Sequence, residues 1–403
     1  MSGIIAALMV ASSFDIAVVG SGVPGLATAL GFSQQGLGVA LIGPRPKPHA
    51  PTRLAPFDPR IYAVAPASVA LLEGLGVWAS VDQQRICAVE HMRVFGDDGP
   101  ELSFDAYGAT VERLATIVEE GELLRVLDAA CGFQPSIKRI ASSFAALTAR
   151  ADAIDVTLEG ASLAAKLLVG ADGANSSVRA AAGISATIKS YDQTAVVANF
   201  GCARPHLNTA SQWFTDEGVV ALLPLPGERV SLVWSAPQDL ASDLAALSPD
   251  QLAIRVTERC ASAAGESAPL GPLTAMGTAH TFPLRQVAVS RLIASRVALV
   301  GDAAHVIHPL AGQGLNLGLQ DTALLHEVVR AREPFRDVGD VAVLRRYERG
   351  RAEALGLMRF TTDSLARLFA FDDPLVRRLR NAGLAAVNRL SPLKNALIRR
   401  ALG

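Results

Sequence analysis

Apolar runs and helical patterns alternate along this chain, and three of the apolar runs end in a turn that contains glycine. The first run, Phe14–Val19, leads into the turn Gly20–Gly25 and then into a helical pattern from Leu26 to Phe32. A strand, a glycine turn and a helix in this order form a dinucleotide-binding fingerprint. In it, Gly20 serves the tight turn, Gly22 the approach of a pyrophosphate and Gly25 the packing of the helix. Taken alone, the fingerprint is weak evidence.

The other two turns add a carboxylate to the same pattern. The run Leu167–Val169 leads into a turn that carries Asp172, and the run Arg296–Val300 leads into a turn that carries Asp302. A carboxylate at such a point can accept hydrogen bonds from a polyol, and the glycines of the following segment, Gly312–Asn316, let the backbone approach a flat ring. The helix that starts near Gly314 directs its positive end at the same place, which suits the negative charge of a reduced flavin.

The remaining pattern predicts an α/β protein with a discontinuous cofactor domain. Residues 89–104 alternate as a hairpin does, and short strand-like runs separated by Gly and Pro between residues 195 and 234 predict an inserted antiparallel sheet over a substrate cavity. We divide the chain into an N-terminal extension (1–13), an FAD-binding domain (14–185, with an inserted hairpin and helices, and 286–335), a substrate-binding sheet (186–285) and a helical C-terminal region (336–403).

Composition excludes several classes of function. Half of the 403 residues are hydrophobic and the formal net charge is −1, so the chain can bury a large core and nothing suggests a nucleic-acid partner. The four cysteines are scattered without metal-ligand spacing, so we expect buried thiols, a reducing compartment and no metal site.

The two ends of the chain carry further expectations. The apolar run Ile4–Ala11 is too short to span a bilayer, and no Lys or Arg precedes it. We therefore favour an N-terminal extension, or a translation start assigned too far upstream, over the core of a weak signal peptide. The segment Pro374–Gly403 holds seven basic residues and no acidic one. A solvated helix face and a membrane or partner surface both fit this pattern, with docking slightly favoured. We expect a cytoplasmic protein, at most peripheral on the inner face of the membrane.

The three turns, their order and their separations resemble the p-hydroxybenzoate hydroxylase-like flavin monooxygenases, and within them the flavin hydroxylases of ubiquinone biosynthesis. The resemblance covers nearly the whole chain from Phe14. Besides the three turns it rests on these segments: His308–Asp321, Asp58-Pro59-Arg60, Pro224-Leu225-Pro226, Phe282-Pro283-Leu284 and Arg346–Arg349.

The resemblance implies a glutathione-reductase-like FAD-binding domain and an aromatic hydroxylase that uses FAD, NAD(P)H and O₂ through a flavin C4a-hydroperoxide. It places the adenosine diphosphate half of FAD on the glycine turn, the ribityl chain on Asp302 and the flavin ring on the segment after it. The residues that it assigns to cofactor binding are Gly20, Gly22, Gly25, Arg60, Asp172, Arg179, Asp302, Gly312, Gly314, Leu315 and Asn316.

Other interpretations stay open for several residues. Asp172 also fits a turn cap and Arg179 a surface ion pair. His305 and His308 invite assignment as a general base because histidine as a residue type serves that role near neutral pH, but a role in the scaffold turn is favoured. Pro309 is expected to shape the turn, so His308 and Pro309 are cavity candidates only. Trp213 and Trp234 fit a core better than a pocket.

One departure from the family pattern concerns the adenine ribose. The second strand, Gly38–Ile42, continues into Gly43-Pro44-Arg45, where the pattern has an acidic residue. The lost bonds are worth about 1.5 to 3 kcal/mol, so we expect looser FAD binding and expect Gly43→Glu to tighten it.

The function predicted is hydroxylation of a polyprenylated phenol on the ubiquinone route. Two rivals remain: a hydroxylase of a small soluble aromatic, and a catalytically weakened scaffold subunit of a ubiquinone-synthesis assembly. The ring position, prenyl length, choice of NADH or NADPH and oligomeric state are left open by the sequence.

Overall fold

The computed structural model describes residues 12–47, 56–96, 101–264, 269–307 and 314–370. The candidates His308, Pro309 and Gly312 lie outside the described residues, as do the run 4–11 and the basic segment 374–403.

The first sheet has eight strands around a parallel core in the order β18-β19-β11-β1-β2-β8, and β10 and β9 extend it beside β11. All four residues of β2 are buried, as expected of a parallel strand covered on both faces. Its strands are β1 (Ser12–Val19), β2 (Val39–Ile42), β8 (Ile137–Ile140), β9 (Phe144–Ala149), β10 (Ile154–Leu158), β11 (Ala161–Gly170), β18 (Ile293–Ala294) and β19 (Val297–Leu299).

The second sheet has nine strands in the order β20-β17-β12-β15-β14-β13-β5-β6, with β16 beside β12. All its pairs are antiparallel except β13 with β5. Its strands are β5 (His91–Phe95), β6 (Glu101–Asp105), β12 (Ala186–Cys202), β13 (Thr209–Thr215), β14 (Gly218–Leu225), β15 (Arg229–Pro237), β16 (Leu273–Ala275), β17 (His280–Val289) and β20 (His305–Val306).

A small third sheet and the helices complete the fold. The third sheet has the order β3 (Ile61–Val64), β7 (Ala115–Glu119) and β4 (Cys87–Val89). Helix α1 packs against α3 and α7, and α7 packs against α8. The helices are α1 (Val23–Gln34), α2 (Pro66–Gly74), α3 (Glu120–Gly132), α4 (Ser177–Ala181), α5 (Gln238–Ala246), α6 (Pro249–Ala264), α7 (Gly314–Arg330) and α8 (Val341–Ala370), with 3₁₀ turns at Trp78–Ser80 and Gly301–Ala303.

These elements confirm the predicted α/β class, the inserted sheet and the hairpin. The hairpin β5–β6, however, pairs with the second sheet through β13, although it lies within the range predicted for the first domain. Strand β1 starts at Ser12, two residues before the predicted start. The domain boundaries themselves stay predictions.

Two core predictions are also confirmed. Trp213 and Trp234 are fully buried in the cluster between the second sheet and helices α5 and α6. All four cysteines are free and buried, and burial raises the pKa of Cys131 and of Cys260 to about 12. These thiols therefore stay protonated and unreactive at neutral pH.

Candidate functional site

The carboxyl ends of four parallel strands meet at one edge of the first sheet. Val19 pairs with Gly170 and with Ile42, and Gly170 pairs with Leu299. The three turns singled out from the sequence follow β1, β11 and β19 directly, so they lie side by side. In open α/β sheets, ligands bind outside the carboxyl ends of the strands. This edge is the candidate site.

The first turn needs glycine at two positions for steric reasons. Gly20 has a φ of +121°, and a Cβ there would lie 2.1 Å from the carbonyl oxygen of Ala171. A Cβ at Gly25 would lie 2.1 Å from the carbonyl oxygen of Gly20. Gly20 therefore lets the turn pass close to the turn after β11, and Gly25 lets α1 start close to β1.

Gly22 has a different environment. No atom of the described residues lies within 4 Å of where its Cβ would be, and no side chain there caps the N-terminus of α1. The first backbone N–H groups of a helix have no partner inside it, and they carry the positive end of the helix dipole. Gly22 thus borders open space in front of a group of N–H donors, an arrangement that suits a phosphate.

Asp302 lies in the turn after β19 at the candidate edge, and its side chain combines access to solvent with close protein surroundings. Its side chain is exposed, yet the protein packed around the carboxyl raises its pKa by desolvation, against the opposing effects of His305, Arg60 and Arg285. The carboxylate is therefore free to accept hydrogen bonds from a bound hydroxyl chain.

Arg60 reaches the candidate edge from the third sheet. Its guanidinium lies 3.1 Å from the Glu120 carboxylate and packs over the ring of Phe282, a residue of the second sheet, at 4.8 Å. Burial lowers the pKa of Arg60, but Glu120, Tyr62 and Asp302 raise it, and the net effect is an increase. Arg60 is thus a fixed cation where the two large sheets approach each other.

Asp172 and Arg179 are both engaged within the protein. Asp172 accepts hydrogen bonds from the Ser176 hydroxyl and from the backbone N–H of Val178, which makes it a turn cap. Arg179 is buried and donates to the carbonyl oxygens of Ala174 and Ala303, at 2.9 Å each. The alternative of a surface ion pair for Arg179 is wrong. Arg179 ties the Asp172 turn to the Asp302 turn, and a direct contact of either residue with a cofactor stays a prediction.

The N-terminus of α7 begins at Gly314, with Leu315 and Asn316 in its first turn. The Asn316 amide is fully buried, accepts from the backbone N–H of Ala65 and donates to the carbonyl of Ala63, at 2.8 Å each. That side chain links α7 to the third sheet and is not directed at a ligand. A contribution of Asn316 to flavin binding is therefore expected from its backbone N–H alone.

The end of β2 adds a cost to one expected variant. Gly43 has a φ of +142°, which L side chains rarely adopt, although its Cβ would have room, 3.5 Å from the Ser21 hydroxyl oxygen. Gly43→Glu would therefore strain the backbone and lower the stability of the fold, and its effect on FAD affinity stays a prediction.

Sequence reasoning missed three residues of this region. The Tyr62 hydroxyl donates at 3.0 Å to Glu120, the partner of Arg60, and burial, followed by Glu120, raises the pKa of Tyr62 well above the usual value. Asp321 and Arg351 are buried and bonded to each other behind the Asp302 turn. His305 is buried and lies against Asp321, in agreement with a scaffold role rather than a general base. For Asp321 the signal available in the sequence was a single carboxylate within the mostly apolar first half of α7.

The arrangement fits a dinucleotide whose one half carries a polyol. Gly22 leaves space before a helix N-terminus, and Asp302 supplies an accessible carboxylate on the neighbouring turn. The fold and this edge define a flavoprotein of the glutathione-reductase-like type with an added sheet. The chain belongs to the FAD binding domain family, whose model matches residues 13–358, and FAD is its cofactor.

Relatives and a solved structure agree with this class. Ubiquinone hydroxylase UbiL of Rhodospirillum rubrum is 34% identical over 392 residues, covering 96% of this chain and 89% of UbiL. The 3-demethoxyubiquinol 3-hydroxylase of Escherichia coli is 35% identical over 398 residues, covering 96% and 98%. The fold is similar to the crystal structure of p-nitrophenol 4-monooxygenase PnpA from Pseudomonas putida, with a TM-score of 0.74, 18% identity, and coverage of 97% and 99%.

Proposed function

We propose that this protein is an FAD-dependent monooxygenase that hydroxylates the aromatic ring of a polyprenylated phenol in ubiquinone biosynthesis, with NAD(P)H and O₂ as co-substrates. The observation that carries the proposal is the meeting of three glycine-containing turns at the carboxyl ends of β1, β11 and β19. It is supported by the similarity of nearly the whole chain to two hydroxylases named for ubiquinone or a ubiquinol.

When bound, FAD supplies the electron transfer to oxygen and the hydroxylating chemistry, which no amino-acid side chain provides. The chain's own residues would bind and orient it. In this assignment the N-terminus of α1 beside Gly22 holds the pyrophosphate, Asp302 the ribityl hydroxyls and the first N–H groups of α7 the ring. Arg60 would approach the pyrophosphate region from the third sheet.

The second sheet supports an apolar aromatic substrate. Alternate residues of β12, β14 and β15 pack against α5 and α6, so the residues between them turn the other way. On that opposite face, Asn199 bonds to the carbonyls of Phe57 and Asp58, which precede Arg60. This contact supports the proposal that the face is directed at the cofactor.

A row of four paired residues, three of them Val or Ala, crosses this face. Val197 pairs with Val233, Val233 with Ala221, and Ala221 with Gln212. Ala221 and Val233 belong to interior strands and yet are partly exposed. In the proposed function these short apolar side chains leave room for an aromatic ring and help to exclude water from the reaction.

We further propose that the substrate reaches the protein from a membrane. The seven basic residues of 374–403 would place the protein on an anionic membrane surface, where a prenylated phenol resides. In the described part of the chain, no helix combines the length and apolar character needed to cross a bilayer.

The test combines cofactor content with product analysis. We expect the purified protein to be yellow with bound FAD, to oxidise NAD(P)H, and to incorporate one atom of ¹⁸O₂ into a prenylated phenol, faster than into a short soluble one. Faster turnover of the short phenol would favour the soluble-aromatic rival. A colourless protein that FAD does not restore would contradict the enzyme and favour the scaffold.

A further inference from the structure

We propose that helix α8 is part of the cofactor site, with Arg351 acting as a positioning residue that holds the Asp302 turn in place through Asp321. This inference rests on the proposed function, because it takes the ribityl end of FAD to lie on that turn. It assigns to the C-terminal helix a role in holding the flavin half of the cofactor.

Asp321 is hydrogen-bonded to both ends of the Asp302 turn. This carboxylate lies on α7 and has no exposed surface. Its Oδ2 accepts from the backbone N–H of Gly301 at 2.9 Å and lies 2.7 Å from Nε2 of His305, which must donate because a carboxylate only accepts. Gly301 and His305 flank Asp302 in sequence. The position of Asp302 is thus set by one buried carboxylate.

Arg351 in turn fixes that carboxylate. Its Nε donates to Oδ1 of Asp321 at 2.6 Å, and its two terminal nitrogens donate to Gln320 Oε1 and to the carbonyl of Leu317, at 3.2 Å each. Arg351 as a whole residue is 4% exposed. A charge buried in this way must be paired, and removing one partner leaves the other uncompensated. The carboxylate of Asp321 therefore depends on α8 for its orientation.

A second contact of α8 reaches the same turn from the strand side. The buried Tyr347 hydroxyl donates to the carbonyl of Leu299, the last residue of β19, at 2.6 Å. Burial raises the pKa of Tyr347 well above its ordinary value, so the hydroxyl stays a donor. One residue further, Glu348 accepts from the backbone N–H of Leu292 at 2.8 Å. One turn of α8 thus holds both the entry to the Asp302 turn and the carboxylate behind it.

These contacts predict that loss of Arg351 weakens the binding of FAD but not of ADP. In the proposed arrangement, the adenosine diphosphate half of FAD lies on the turn of Gly22, and only the flavin half depends on Asp302. Arg351→Gln should therefore raise the Kd for FAD roughly tenfold or more, as when the partner that orients a ligating group is removed. The Kd for ADP should stay the same. If Arg351 only stabilised the fold, Arg351→Gln would weaken the binding of FAD and of ADP together.

The experiment measures FAD and ADP binding to the apoprotein by calorimetry for wild type, Arg351→Gln, Arg351→Lys and Arg349→Gln. Arg349 is an exposed arginine on the same helix and serves as the matched control, which should bind both ligands as wild type does. Arg351→Lys keeps the charge but loses part of the hydrogen-bond geometry, so its FAD affinity should lie between the other two. If Arg351→Gln does not fold, FAD and ADP binding are compared in Tyr347→Phe instead, because this variant removes only a single hydroxyl.

The possible outcomes distinguish a failure of the role assigned to α8 from a failure of the proposed placement of FAD. Unchanged FAD binding, or equal losses of FAD and ADP, would overturn the role of α8. If Arg351 acts through Asp302, combining Arg351→Gln with Asp302→Ala should weaken FAD binding little beyond Asp302→Ala alone, whereas additive losses would contradict that route. If Asp302→Ala itself leaves FAD binding intact, or wild type binds no FAD, the placement of the cofactor is wrong and the inference falls with it.

Discussion

At the scale of single residues, the three glycines of the first turn serve different physical purposes. Gly20 and Gly25 are required by the backbone of the protein itself, because a Cβ at either would lie 2.1 Å from a carbonyl atom. Gly22 borders only open space among the described residues. In the proposed function, the pyrophosphate of FAD occupies this space and accounts for glycine at position 22, and this difference can be tested directly.

Gly22→Val should leave the protein folded and deplete bound FAD, because the new side chain occupies the space assigned to the pyrophosphate. Gly25→Val is the matched control. It should lower the free energy of unfolding by at least about 1 to 3 kcal/mol, because the new side chain overpacks the start of α1. FAD absorbance and thermal unfolding of both variants measure these effects. Full flavin content in Gly22→Val would show that the pyrophosphate lies elsewhere.

Asp302→Ala should weaken FAD binding by about 1.5 to 3 kcal/mol, the worth of a hydrogen bond to a charged group, which is roughly a ten- to hundredfold rise in Kd. Little loss of stability is expected, since the side chain is exposed. Titration of the apoprotein with FAD measures the effect, and Asp172→Ala is the comparison. A larger loss of FAD affinity in Asp172→Ala would reverse the ranking of the two carboxylates.

How far the site could be predicted from the sequence depends on the distance over which each residue acts. Gly20, Gly25 and Asp302 belong to local strand-to-turn patterns, so their positions follow from neighbouring residues. The engagement of Asn316 with Ala63 and Ala65 could not be predicted, because these residues are about 250 positions apart and meet only in the folded protein. The same holds for Arg351 and the Asp302 turn.

At the scale of elements, α1 and α7 pack closely enough to bury most of a histidine between them. His326 of α7 is 7% exposed, and its Nε2 lies 3.0 Å from the carbonyl of Thr28 in α1. A Cβ at Gly31 would lie 2.1 Å from the His326 ring. Burial, as the largest cause, lowers the pKa of His326 from 6.5 to about 4. The pairing of these two helices therefore requires a neutral histidine.

This burial makes stability depend on pH in a defined direction. Between about 4 and 6.5 the unfolded chain binds more protons than the folded protein at this residue, so stability falls as the pH falls through that window. The loss between pH 8 and pH 5 is about 2 kcal/mol from His326 alone. In His326→Gln the difference in unfolding free energy between these pH values should shrink by that amount, as denaturant titrations can measure. An unchanged pH dependence would show that His326 stays accessible to protons.

The hairpin β5–β6 shows what element patterns leave undetermined. Alternation in the sequence predicted the hairpin, because each strand's side chains report which face is buried. Its partner was not predictable, since the parallel pairing of β5 with β13 joins residues more than 100 positions apart. The chain thereby extends the second sheet with a segment that precedes it in sequence, which local periodicity cannot indicate.

At the scale of the whole molecule, the two large sheets have separate tasks in the proposed function. The first sheet presents the cofactor turns, and the second presents a face of small side chains toward them. Because the two surfaces belong to different sheets, substrate binding can be disturbed without disturbing FAD.

Ala221→Leu should therefore raise the KM for a prenylated phenol several-fold while FAD content and thermal stability stay close to those of wild type. Ala221 is partly exposed in the middle of the row that crosses the second sheet, so in the proposed arrangement a larger side chain takes space from the substrate. Steady-state kinetics with visible spectra of each preparation measure the split. Loss of FAD without a change in KM would place this row beside the cofactor instead of the substrate.

The last prediction concerns how a water-insoluble substrate reaches the protein. Lys394, Arg399 and Arg400 are three of the seven basic residues in 374–403, and each would gain on the order of 1 kcal/mol near an anionic membrane surface. Replacing all three by Gln should reduce sedimentation with anionic liposomes and slow turnover of a prenylated phenol, but leave turnover of a short soluble phenol intact. Salt should weaken the wild-type interaction as well, since exposed charges are screened beyond about 8 Å at physiological ionic strength. Wild-type sedimentation of the triple variant would mean that this segment serves the fold or a protein partner, and that the substrate arrives by another route.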